Sequence, residues 1–432
     1  MPEGINRYYN GVVIRQTTIC CSAVALIAAL ALPVCAQTST PVSRAVKQTR
    51  AVDDKTPLAL FPVITTWTLP LNNPLTAPPA FRDALAVFAL EGAQLAMYDL
   101  AAGSRLWLAP IATTVEPAIG TNVVFVAEED TISALSISNG EVVWRQPFDA
   151  ALAVAPTVAG DRLILATADG DIVARRADEG TELWRRHLPR AATSRPAFLA
   201  GQLFVATADK QMVALNLETG DVLWTRTMNG LGHDILANGD RIFFGSQDRY
   251  FYCLNAKDGT IEWRWATGAD AIGLPVADDR TVYFVSLDNI VRGLNRSSGV
   301  QRWKTALNFR PNSGPLKWSE TLVVAGTSPV VQAFSTREGK SLGSYTVANE
   351  LSALPYLFVD TARVFPTLVT LSSDILARAT VTGATRDIEP TVNPVAPLPD
   401  VAVPATVAAP PDDLGAVTPL PTLIPVVPTS EP

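Results

Sequence analysis

Five aspartates, Asp130, Asp169, Asp209, Asp248 and Asp288, recur at nearly one interval along this 432-residue chain. Carboxylates so spaced could ring a hard cation, which takes oxygen ligands. Each, however, stands in a short polar stretch (EED, ADG, ADK, QDR, LDN), where an aspartate bonds its own turn. No segment carries the D-x-D-x-D-G spacing of a calcium loop. Turn chemistry accounts for all five, and no metal is expected. His233 beside Asp234 comes nearest to an acid–base pair. Adjacent strand residues point to opposite faces, which keeps these two from bonding each other. The other histidine, His187, falls in a loop after the Trp184 strand. Two histidines, one cysteine beyond residue 36 and no nucleophile elbow make neither a hydrolytic set nor a zinc site. No catalytic or cofactor-binding residue is assigned.

The interval of the aspartates belongs to a larger pattern. Glycine–tryptophan pairs fall at Gly103/Trp107, Gly140/Trp144, Gly180/Trp184, Gly220/Trp224, Gly259/Trp263 and Gly299/Trp303. Successive tryptophans lie 37, 40, 40, 39 and 40 residues apart. A seventh copy, REGKSLGSY, keeps Gly339 but has Gly343 where the aromatic should stand. A period near 40 with strand-like content marks a four-stranded propeller blade. One copy reads RPAFLA, QLFVATA, QMVALNL and DVLWTRT, punctuated by Gly201, Asp209-Lys210 and Thr219-Gly220. The glycine supplies the positive φ of a tight turn, and the tryptophan is placed to dock one blade on its neighbour.

Trp67 in PVITTWTLPL precedes Trp107 by one period, with no partner strands before it. At the other end, SALPYLFVD, RVFPTLVT and DILARATV supply three strands without a fourth. Pairing the two fragments closes the ring and removes two edges. The expected fold is all-β: an eight-bladed propeller of four-stranded antiparallel blades over residues 58–383, closed by an N-terminal strand.

Prolines open the first strands at Pro117, Pro156, Pro196, Pro275, Pro315 and Pro355, where no ladder donor is lost. The residues before them vary: Glu116, Ala155, Arg195, Leu274, Gly314 and Leu354. In the fifth copy GHDIL puts His233 and Asp234 at that place. First strands lining a central shaft would set these residues round one mouth. Glu116, Arg195, His233, Asp234, Arg310 and Glu350 are the candidate partner contacts. Trp265 and Trp318 are extra to the repeat, as core residues or exposed anchors.

Residues 1–36 read as a signal peptide: Arg7 and Arg15, the run TTICCSAVALIAALAL, and small residues before a cut after Ala36. The run is short for a membrane span, which needs about 20 apolar residues, though an uncleaved anchor stays open. No lipobox precedes Cys20, Cys21 or Cys35. Cys253 then stands alone, read as a small buried side chain. Residues 37–57 form a leader. Residues 384–432 are a Pro-rich tail read as disordered, with one arginine against six acids, which carries most of the formal charge of -7. No basic stripe exists, which argues against nucleic acid.

The phrases ALNLETGDVLW, YCLNAKDGTIEW and GLNRSSGVQRW resemble the PQQ-like repeat, over about residues 62–382. Two families share it. Resemblance to the quinoprotein alcohol and glucose dehydrogenases implies pyrroloquinoline quinone held over calcium, with a vicinal cysteine bridge beside it. Here the vicinal pair, Cys20-Cys21, lies in the signal, and no tryptophan interval exceeds 40, leaving no long insertions to build a pocket. Resemblance to the outer-membrane assembly factor BamB family implies an exported scaffold without enzyme activity or cofactor. Such a scaffold, a monomer within a periplasmic or envelope complex, binds barrel precursors or assembly machinery and touches the membrane only indirectly. Members are usually lipid-anchored and lack such a tail, and none of that family's contact residues maps onto this chain. The expected function is a protein-binding scaffold. A quinoprotein dehydrogenase and a ligand-sensing propeller are the alternatives.

Overall fold

The second strand of each repeat is a continuous apolar run (LAVFAL, VVFVA, RLILA, QLFVA, RIFFGS), and its third strand is nearly so. A strand apolar on both sides must be covered on both faces. The computed structural model meets that demand by stacking blades radially. It describes residues 60–360, 365–373, 375–381 and 391–392. Among these residues every regular element is a strand. Seven sheets follow the chain order directly: blades 1 to 7 span residues 80–109, 118–147, 157–187, 197–227, 232–266, 271–306 and 316–346. The fully buried middle strands make each seam, and eight apolar clusters each join two neighbouring blades. The fourth strands alternate, with a burial pattern of exposed and half-buried positions in Glu182–His187, Val222–Thr227 and Ile261–Ala266. They form the rim.

Each repeat tryptophan reaches across a seam. Trp144 donates its indole N–H to the Ala177 carbonyl (3.0 Å), Trp184 to Leu217 (3.0 Å) and Trp224 to Ala256 (2.9 Å). The same bond joins Trp107 to Ile137, Trp263 to Arg296 and Trp303 to Thr336. The ring then lies over the next blade's turn glycine. A Cβ on Gly180 would stand 2.6 Å from the Trp144 ring, and one on Gly220 2.5 Å from Trp184. Gly339 receives Trp303 in this way, so the seventh copy keeps its glycine for the sixth copy's tryptophan.

Blade 8 is the composite. The strand Val63–Pro70 pairs antiparallel with Ile375–Val381, with Leu69 opposite Leu376 and Trp67 opposite Arg378. Tyr356–Asp360 and Phe365–Ser372 complete it. Arg378 donates from Nη1 to the Ala101 carbonyl of blade 1 (2.7 Å). Thr391–Val392, beyond the boundary read at residue 383, adds a short parallel strand on the free edge of Val63–Pro70. The segments read as signal and leader, and the rest of the tail, lie outside the described residues.

Two sequence expectations need correction. Pro275 does not open its first strand but lies inside Ala271–Ala277, where the register slips between Ile272 and Val276. A bulge tolerates proline because its N–H is out of the ladder. His187 is the last residue of the strand Glu182–His187, paired with Asp171, and not in a loop.

Candidate functional site

In an antiparallel four-stranded meander, the turn between strands two and three shares one end with the connection to the next blade. That end gathers the candidate contacts. The first strands lie innermost, and most of those in successive blades touch one another. Glu116 precedes the first strand of blade 2 and Arg195 that of blade 4, yet their side chains form an ion pair. They skip blade 3, where the matching residue is Ala155, and this is possible only near the axis. The first strand of blade 5, Gly232–Asn238, is long and bulged between Gly232 and Ile235. The bulge holds His233 and Asp234. It is tied to blade 4 by Thr193, whose Oγ1 donates to the Gly232 carbonyl (3.1 Å), and by Ser194, whose Oγ donates to the His233 carbonyl (3.2 Å).

The electrostatics follow from partial burial. Desolvation pushes the Glu116 carboxyl above its usual value; Arg195 pulls it down and Asp234 pushes it up. Asp234 is raised by burial and drawn back by Arg195 and His233. Burial depresses His233, against the pull of Asp270 and Asp234. Its Nε2 is buried without a hydrogen-bond partner among the described residues. No hydrogen bond joins His233 to Asp234 among those residues, though each charge acts on the other. A partly exposed pair such as Glu116–Arg195 contributes about 1 kcal/mol or less to stability. The cluster is a charged, half-buried surface.

Arg310 and Glu350 lie apart from this cluster, exposed in the connections ahead of blades 7 and 8. The mouth residues on that side are apolar and exposed, Leu274 at 48% and Leu354 at 55%. There the backbones close in: a Cβ on Gly273 would stand 2.0 Å from the Gly314 nitrogen. The mouth thus has a charged half and an apolar half. Three of the turn aspartates bond within their own blades. Asp209 accepts from Thr207 (2.5 Å), Asp248 from Tyr252 (2.5 Å), and Asp288 from Ser286 (2.6 Å) and Arg292. Cys253 is fully buried, and burial pushes its thiol up. Trp265 and Trp318 pack against core clusters. One seam contact escaped the sequence reading. A Cβ on Gly343, the seventh copy's missing aromatic, would meet the Phe61 ring at 3.5 Å. Phe61 packs with Val323 and Val331 of blade 7 and Leu368 of blade 8, filling the tryptophan's seam. Only the bare position at Gly343 hinted that an aromatic was owed from elsewhere.

The family model described as outer membrane protein assembly factor BamB matches residues 91–230 and 219–395. The chain belongs to that family. Its match to the BamB of Yersinia pestis is 26% identical over 128 residues, 28% of this chain and 33% of that protein. For the BamB of Moranella endobia the match is 24% identical over 115 residues, 26% of this chain and 30% of the relative. The aligned stretches thus span about a third of these curated relatives. Among solved structures, BamB from Moraxella catarrhalis superposes with a TM-score of 0.60 at 16% identity, covering 74% of this chain and 99% of that one. A quinohemoprotein alcohol dehydrogenase from Comamonas testosteroni gives 0.59 at 12% identity, covering 74% and 76%. At such identities both show the fold alone.

Proposed function

We propose that the chain is an exported, non-enzymatic scaffold that docks other proteins during outer-membrane β-barrel assembly. The mouth on the face of the inter-blade connections is its contact surface. The observation that carries this reading is the family match across residues 91–395 in a wheel whose connections are all short. Charged groups at one side of the mouth (Glu116, Arg195, His233, Asp234) give orientation, and Leu274 and Leu354 opposite give apolar area. Arg310 and Glu350 extend the charge outward. The rim offers a second mode. The fourth strands of blades 2 and 4 expose Val142, Val143, Val222 and Leu223 beside an unpaired edge, where an extended segment can add a strand. The likeness to a quinohemoprotein dehydrogenase lends no support beyond the fold.

Photo-crosslinking from position 195 or 310 in the cell envelope tests the reading. Outer-membrane assembly proteins should be captured, and Arg195→Glu should cut the yield at 310 several-fold. Recovery of the scaffold uncrosslinked from both positions, or dye reduction with added quinone, calcium and an alcohol, would sink it.

A further inference from the structure

The opposite end of the wheel carries the turns between first and second strands and between third and fourth. Between blades 5 and 6 it holds a cleft of about 500 Å³. Four arginines, Arg241, Arg280, Arg296 and Arg302, line it with two aspartates, Asp240 and Asp279. Two of the arginines break the repeat. The residue whose carbonyl takes the tryptophan N–H is Ile137, Ala177, Leu217, Ala256 or Thr336 elsewhere, and Arg296 in blade 6. The residue before the repeat tryptophan, exposed in each case, is Leu106, Val143, Leu183 or Leu223 in blades 1 to 4, Glu262 in blade 5 and Arg302 in blade 6. Arg296 is half-buried, so its cation carries a desolvation cost that an alkyl group there would not. Departures from a repeat's local rule gather at functional sites.

The site is partly built already. Arg296 donates from Nη2 to the Asn238 carbonyl (2.8 Å) and lies over the Phe243 ring, 5.9 Å from its centroid. Its Nε is buried with no hydrogen-bond partner among the described residues. Gly239 has a φ of 67°, and a Cβ there would stand 2.5 Å from Arg296 Nη2, so the turn is shaped to admit this side chain. Arg241 is fixed by Glu262 (2.5 Å) and Asp240 (3.4 Å). Arg280 and Arg302 are exposed, and their guanidinium groups have neither hydrogen bond nor ion pair among the described residues.

We propose that this cleft binds a phosphate ester bearing free hydroxyls, a glycerophosphate-like group. Planar guanidinium forks match phosphate oxygens two at a time, and Arg280 and Arg302 are uncommitted forks facing one cleft beside the anchored Arg296. Asp240 and Asp279 accept hydrogen bonds from the ligand's hydroxyls and repel a densely acidic peptide. The volume exceeds that of a bare oxyanion and leaves room for the polyol. The site is independent of the mouth, so failure here leaves the scaffold reading standing.

Calorimetric titration of the full chain separates the possibilities, with glycerol 3-phosphate, inorganic phosphate and phosphatidylglycerol vesicles as probes. Binding of glycerol 3-phosphate or of the vesicles is expected, weakened about tenfold or more in Arg280→Ala/Arg302→Ala at an unchanged melting temperature. Response to the vesicles alone assigns the group to a lipid headgroup; response to the free ester as well assigns it to the headgroup chemistry itself. Arg280→Lys/Arg302→Lys keeps the charge and loses the forks, so it should fall between, and it serves if the alanine variant folds poorly. Equal binding by wild type and variants, no heat with any probe, or tighter binding of an Asp/Glu-rich peptide overturns the proposal.

Discussion

Gly220 meets two demands at once. Its φ of 72° lies in the left-handed region, and the Trp184 ring occupies the space where a Cβ would go, 2.5 Å away. Gly160 separates these demands, for its φ is 65° with nothing within 4 Å of the same position. The backbone alone is tolerable for other residues, as Ala200 at 48° and Lys210 at 65° show. Gly160→Ala should therefore cost about 1 kcal/mol. Gly220→Ala should cost about 3 kcal/mol or more, because the indole must leave its packing and its bond to Leu217. Urea unfolding of the two variants makes the comparison, and equal losses would remove the docking role of the glycine. The pairing of each glycine with the previous blade's tryptophan was hidden in the sequence. A glycine stands four residues before its own tryptophan in every intact copy, and its true partner one blade back keeps a nearly regular spacing of 33 to 36 residues. Periodicity cannot choose between two regular intervals; the ring's position does. Glu116 and Arg195 were legible as departures from a proline-linked pattern, but their contact across blade 3 depends on the curvature of the wheel, which no local signal carries.

At the scale of the element, a blade needs a large apolar side chain at each seam, and blade 7 cannot supply its own. Phe61, 6% exposed and ahead of the first paired strand, fills that gap beside Leu60. Phe61→Ala should lose about 3–5 kcal/mol, the range for emptying a buried aromatic site. The loss should be local in its kinetics. Amide exchange in Val63–Pro70 and Ser341–Thr346 should accelerate ahead of exchange in blades 3 and 4, whose seams keep their tryptophans. Uniform acceleration round the wheel would mean that the residue acts on global stability and not as a wedge. Strand content, turn positions and the composite blade were all readable from alternation and glycine placement. The wedge was not, because a single phenylalanine next to a proline carries no period. The long first strands of blades 5 and 6 were obscured for a related reason. Their bulges interrupt alternation at His233 and Pro275, the residues that invited separate explanations.

The whole molecule stands or falls on closure. The last blade reaches four strands like the others only if it borrows one, and here the loan comes from some 310 residues away in sequence, Leu69 opposite Leu376. Contacts of that separation are slow to form, since the loop entropy must be met before they contribute. Trp67, Leu69 and Leu71 are each buried to 7% exposure or less within the seam to blade 1. Three such side chains at about 1.5–3 kcal/mol each bring in roughly 5–9 kcal/mol. That is comparable to the entire net stability of an ordinary domain, about 5–15 kcal/mol. A chain beginning at Asn73 should therefore lose its cooperative unfolding transition and associate through the bare edge of Ile375–Val381, visible as dimers or larger species in light scattering. A synthetic peptide of residues 58–72 added in trans should restore both the monomer and the transition, since it offers the same ladder and the same indole. The peptide carrying Trp67→Ala should bind weakly and restore little. If the shortened chain stays monomeric with an undiminished melting temperature, the borrowed strand is ornament and the wheel is held by its other seven seams.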